Sequence, residues 1–244
     1  MELEIKTSTV ADVVRKDYRT AKVFKKYRID FCCEGGKTID QVCIERKIEP
    51  KELRNDLDSI LAEEAPKMIA FDTWPLDQLI DHIEKKHHRY IEETAPLLKQ
   101  YLKKVDAVHS NGAPYLTELY RVFDESAGNL AVHMKKEELI LFPFIKGMVE
   151  AEKNGTPFTP PPFGSVGNPI DMMQAEHDAE GEHFRYMEEL SNGYEIPNWA
   201  CNTFIVAIKM LREFQDDLHA HIHLENNILF PKALELESHV LSPA

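Results

Sequence analysis

Cysteine is scarce in this chain of 244 residues: there are four, and two of them are adjacent. That spacing does not suit the disulfide framework of a small secreted domain. Glycine (10) and proline (14) are too few for a low-complexity or collagen-like chain. No apolar run approaches the roughly 20 residues that cross a bilayer, so a soluble chain without a membrane partner is expected. Positive charge is also in deficit, with 29 lysines and arginines against 42 acids and a net charge of -13. A field of that sign repels nucleic acid and anionic lipid and suits a cationic or metal-bearing partner. The opening MELEIKTSTVADVV has neither a basic start nor an apolar stretch before a small-residue cleavage site. It predicts no secretory leader and a cytoplasmic location.

What is present is helical pattern. Helix-start signals recur early, as Thr9 with Asp12 and Thr38 with Gln41, each a hydroxyl followed three residues on by an acceptor. They predict a small helical N-terminal domain over residues 1–66. In EEAPKMIAFDTWP, Pro66 and Pro75 discourage a continuous helix and Thr73 can cap the next one, which places a linker at 67–75. From Leu76 the apolar residues keep helical spacing for roughly 30 residues. A second long helix runs from about Tyr115 to Asn154, and two more over roughly 169–190 and 199–237. The stretch NGTPFTPPPFGSVGNP between them reads as a loop. Long amphipathic helices without strand signals predict an all-α antiparallel four-helix bundle over residues 76–238, whose interior commonly holds metal ligands.

One string occurs twice. His133-Met-Lys-Lys-Glu137 runs into ELILFP and His221-Ile-His-Leu-Glu225 into NNILFP, with the histidines, glutamates and prolines all offset by 88 residues. Each copy has a histidine upstream, at His88 and His177. Residues four apart share a helix face, so each His–Glu pair can point one way. A single such pair would pass for a surface contact, but its repetition at bundle spacing favours a shared site. Buried glutamates cost several kcal/mol each unless neutralised, and divalent ions between them remove that cost. Two glutamates bridging two metals, with two histidines on each, would use all six residues and leave coordination positions open, as reactive sites do. Spacing leaves His87 and His88 nearly tied, because His87 stands four residues from both Ile83 and Ile91. His82, His109, His183, His219, His223 and His239 are expected to be solvated or hydrogen-bonded, and Glu176 to be a solvated or capping acid with a proton-carrier role as its alternative.

Cys32 and Cys33 lie in IDFCCEGGKTIDQ, just before the Thr38 helix start. A helix N-terminus lowers a thiol pKa, so a reactive pair is predicted, with simple packing as the alternative. Neighbouring Cα atoms are about 3.8 Å apart, short for a relaxed disulfide, which suits redox exchange or transient metal binding. Cys43 and Cys201 are solitary and expected to pack.

The strings DFCCEGGKT, HMKKEELILFP, EHD and HIHLENNILFP together resemble the di-iron iron-sulfur cluster repair family over nearly the whole chain. The first is similar to that family's short ScdA-type N-terminal domain and the others to its hemerythrin-like domain. Carried over by position, the resemblance implies iron ligation by His88, His133, Glu137, His177, His221 and Glu225, and so favours His88 over His87. It implies two iron ions, oxo- or hydroxo-bridged, where the donors alone would accept manganese or zinc as well. The implied role is stress response: repair of clusters damaged by nitric oxide or peroxide, by donating iron to damaged iron-sulfur proteins or a cluster scaffold. Cys32 and Cys33 would handle thiol redox or iron transfer, nitric oxide or oxygen would be small ligands, and a homodimer is among the assemblies allowed. The alternatives are a nitric oxide or peroxide reductase and an oxygen or iron sensor. Oxygen-carrying hemerythrins differ, since their third helix supplies a second histidine where this chain has Gly181, and their fourth an aspartate five residues after its histidine where this chain has Glu225 at four.

Overall fold

The computed structural model describes residues 7–62, 70–159 and 164–241. The expected domain end at 63–66, the linker's start at 67–69 and residues 160–163 of the proline-rich loop lie outside the described residues.

The chain opens with helices α1 (Val10–Lys16), α2 (Ala21–Lys26), α3 (Ile39–Arg46) and α4 (Pro50–Ala62). Both expected start signals operate. The Thr9 hydroxyl accepts from the Asp12 N–H while the Asp12 carboxylate accepts from the Thr9 N–H. Thr38 and Gln41 form the same reciprocal pair ahead of α3. Each box satisfies two backbone donors that a helix start leaves orphaned. Val14, Phe24, Ile39, Leu53 and Leu57 are the buried apolar faces of these short helices. The Thr73 hydroxyl donates to the Ala70 carbonyl within a 3-10 turn, Phe71–Thr73, that precedes the first long helix.

The four long helices follow, three of them interrupted by a π turn that helical periodicity does not announce. The first is α5 (Leu76–His82), a π turn (Ile83–His88) and α6 (Arg89–His109). The second is α7 (Tyr115–Lys136), a π turn (Glu137–Leu141) and α8 (Phe142–Asn154), ending at Gly155 with φ 61°. The third is α9 (Gly167–Leu190), and the fourth α10 (Asn202–Leu224), a π turn (Glu225–Leu229) and α11 (Phe230–Val240). Helix α6 packs on α7, and α7 on α9. Phe214 of α10 meets Tyr90 of α6, Phe123 of α7 and Phe184 of α9 at ring-centroid distances of 6.1, 5.4 and 5.8 Å. One aromatic thus ties four helices into an all-α bundle. By compactness the chain divides into residues 1–75 with 222–232, and 76–221 with 233–244. No helix among the described residues is long and apolar enough to cross a membrane.

Candidate metal centre

The repeated His–Glu strings sit where the helices change pitch. His88 ends one π turn, while Glu137 and Glu225 each open another. In the latter two, the N–H groups of Phe142 and Phe230 bond to the carbonyls of Glu137 and Glu225, five residues back instead of four. This accounts for the repeated Leu-Phe-Pro. Proline cannot donate to the α ladder and would crowd the carbonyl four residues earlier. A π bond closed at the preceding phenylalanine lets the ladder restart beyond the proline.

The donor atoms fall into two groups, each within 4.8 Å: His88, Glu137, His221 and Glu225, and His133, Glu137, His177 and Glu225. Both glutamates belong to both groups, and each group has two imidazoles of its own. All six side chains are buried, with Glu137, His221 and Glu225 at 0% exposure.

The chemistry of this set fits divalent ions. Neither oxygen of Glu137 accepts a hydrogen bond, and its Oε2 stands 3.4 Å from both His88 Nε2 and His133 Nε2. His88 Nε2 faces His221 Nε2 at 3.1 Å, and His133 Nε2 faces His177 Nε2 at 3.0 Å. On their outer sides, His88 Nδ1 donates to Glu138 at 3.0 Å and His133 Nδ1 to Glu176 at 2.9 Å. A carboxylate there keeps the proton on Nδ1 and turns the Nε2 lone pair inward, the form that ligates a metal. A buried carboxylate among inward lone pairs is costly until a cation neutralises it.

His87 is as buried as His88. It turns Nδ1 to Asp217 at 3.0 Å and stacks on His221 with centroids 5.7 Å apart. Among the described residues it belongs to neither donor group.

Of the acids behind the histidines, Glu138 and Asp217 carry no sequence signal that singles them out, while Glu176 is marked only by its place directly before His177. Glu176 pairs with both His133 and Lys136 instead of being merely solvated. Burial pushes Glu138 and Glu176 upward, but the lysine and histidine beside each outweigh it and hold both carboxyls below their ordinary range. His223 is buried against Phe31, and that burial lowers its pKa to about 4.

The vicinal cysteines form a different constellation. Asp30 Oδ1 accepts from the Cys32 and Cys33 N–H groups at 3.0 and 2.9 Å. It also lies 3.1 Å from Cys32 Sγ, and the two sulfurs are 3.7 Å apart. The expected lowering of the thiol pKa does not hold for Cys32. Its neighbour Cys33, its burial and the Asp30 carboxylate push it well up. The α3 N-terminus is already capped by Thr38 and Gln41, so its donors do not serve the thiols.

Cys43 is buried as expected, whereas Cys201 is exposed. Cys201 lies 3.2 Å from His109 Nε2, directly before α10, and the His109 hydrogen bond helps to lower its pKa to about 7. With iodoacetamide at neutral pH, Cys201 is therefore expected to be alkylated before the other three cysteines. His109→Ala should slow it about fivefold, since lost thiolate outweighs gained nucleophilicity. A mass-spectrometric time course reads this directly, and earlier labelling of Cys33 would contradict it.

Two family models match the chain. The hemerythrin HHE cation binding domain covers residues 79–233, and ScdA_N, a domain of unknown function, covers residues 6–61. The chain is 32% identical over 223 residues to an iron-sulfur cluster repair protein YtfE of Citrobacter koseri, with 88% of this chain and 91% of that protein covered. It is 34% identical over 220 residues to the protein of that name from Pectobacterium atrosepticum, covering 90% and 93%. The corresponding protein of Yersinia pseudotuberculosis serotype O:1b is 33% identical over 219 residues, again with 90% and 93% covered.

Proposed function

The chain belongs to the hemerythrin-like iron-sulfur cluster repair family, and from that premise we propose that it carries two iron ions and gives up iron to clusters damaged by nitrosative or oxidative stress. The observation that supports this most is the pair of donor groups sharing Glu137 and Glu225. His88 and His221 would hold one ion, His133 and His177 the other, and the two glutamates would span both. Bound iron supplies exchangeable coordination positions and redox chemistry. Glu138 and Glu176 orient His88 and His133 and keep their protons on the outer nitrogens. Protonation of the shared glutamates would loosen both ions together. Residues 76–238 are the metal bundle in this proposal, and residues 1–66 are a domain that contributes Cys32 and Cys33 to thiol redox or iron transfer. A cytoplasmic setting and damaged iron-sulfur proteins as partners go with it.

The test is reactivation of a cluster enzyme inactivated by nitric oxide. Iron-loaded protein is expected to restore activity in the presence of a chelator that removes free iron, while the metal-free protein does not. Failure of freshly loaded protein to reactivate the enzyme would sink the repair role.

A further inference from the structure

The geometry points to a second metal site, outside the bundle, in which Cys32 Sγ, Cys33 Sγ and an Asp30 oxygen bind one thiophilic divalent cation such as ferrous iron or zinc. It deepens the thiol part of the proposed function and does not depend on how many ions the bundle holds. These three residues form a group whose ligand atoms lie within 4.8 Å of one another.

The spacing discriminates between the uses of a vicinal thiol pair. A tetrahedral ion with metal–sulfur bonds of about 2.3 Å holds its two sulfurs about 3.8 Å apart. The sulfurs here are 3.7 Å apart, so they already span such an ion. A disulfide would have to close them to about 2.05 Å on adjacent residues, whose Cα atoms are nearer than a relaxed bridge prefers. A carboxylate oxygen bonded at about 2.1 Å would stand about 3.6 Å from each sulfur. Asp30 Oδ1 is 3.1 Å from Cys32 Sγ, within about half an ångström of that separation.

The loop is also held in shape before any ion arrives. Asp30 Oδ1 is fixed by the N–H groups of Cys32 and Cys33. Asn226 and Asn227 donate to the Cys32 carbonyl at 3.4 and 3.3 Å, and Asn227 also to the Phe31 carbonyl at 3.4 Å. Cys32 is buried and Cys33 partly exposed, so one ligand lies inside and one faces the approach. On binding, two metal–sulfur bonds form and two thiol protons leave to solvent, with no change of oxidation state. Three protein ligands leave the fourth tetrahedral position to water or to a thiolate of an acceptor, which suits an ion in transit. Two thiolates and one carboxylate select thiophilic ions over magnesium or calcium.

The test uses the full chain, reduced, with its bundle already loaded with iron, and titrates it with cadmium. One cadmium per chain is expected, with a thiolate-to-cadmium ultraviolet band that ferrous iron suppresses by competition. Cys32→Ser and Cys33→Ser should each lose most of the band. Asp30→Asn keeps an oxygen to accept the two backbone N–H groups, so the loop is retained, and it should weaken binding by about tenfold or more. Absence of the band while a thiol count shows both cysteines reduced would overturn the site. So would a cadmium affinity unchanged in Asp30→Asn, or one cadmium shared by two chains. Iron content and enzyme reactivation measured on the same samples report separately on the bundle.

Discussion

At the proposed two-iron centre, replacing Glu137 with alanine is expected to lower iron from about two ions per chain to less than one and to abolish the thermal stabilisation expected from bound iron. Glu137 is in both donor groups, fully buried, and neither of its oxygens accepts a hydrogen bond. Its removal would therefore take a ligand from both proposed ions at once, whereas loss of a histidine would take a ligand from one. The size of the effect follows from linkage. With iron at about a hundredfold over Kd, each site adds about 2.7 kcal/mol to the folded state. Two sites contribute about 5 kcal/mol, or roughly 10–20 °C in Tm for a domain of this size. Wild-type protein should show that rise when ferrous iron is added to the metal-free form, and Glu137→Ala should melt at one temperature with or without it. A variant that keeps two irons by metal analysis would refute the shared role of this carboxylate.

The six candidate donors were visible in sequence because the chemistry is written twice. The spacing of four in His133–Glu137 and His221–Glu225 survives the change of pitch, since each glutamate is the first residue of its π turn. The two capping boxes were visible for a similar reason: both partners lie within one turn of chain. The tie between His87 and His88 could not be broken by periodicity, and the structure shows why. Both residues lie in the π turn Ile83–His88, where a 3.6-residue phase carried from Ile83 or Ile91 no longer locates a face. Both are buried, one against Asp217 and one in a donor group. What stayed hidden are contacts between residues far apart in sequence. His88 meets Glu138 across 50 positions, His133 meets Glu176 across 43, and His109 meets Cys201 across 92. No local pattern encodes such pairs, because they are created by helix packing. The lowered thiol pKa expected at Cys32 failed because Cys33, burial and the Asp30 carboxylate push it up, and because the start of α3 is already capped by Thr38 and Gln41.

Those hidden carboxylates carry the second large effect. Glu138→Gln and Glu176→Gln are each expected to cut iron retention by about tenfold to a hundredfold, the usual cost of removing an acid behind a ligating histidine. The two variants should fail at different ions. Glu138 touches His88, which shares a donor group with His221, so Glu138→Gln should release that ion first. Glu176 touches His133, which groups with His177, so Glu176→Gln should release the other. Stopped-flow chelation would then give one fast and one slow iron in each variant, with Mössbauer spectra of the half-depleted forms differing between them. The pH dependence supplies a further discrimination. Burial raises the Glu138 carboxyl, but Lys135 and His88 outweigh it and hold it below its ordinary range. Its grip on His88 is thus complete above the ordinary carboxylate pKa and is lost only as pH falls through the depressed value. Wild-type iron release should accelerate through that acid step, and Glu138→Gln should lack it at the affected ion. Equal loosening of both ions in either variant would mean that these acids act on the fold as a whole and not through the histidines they touch.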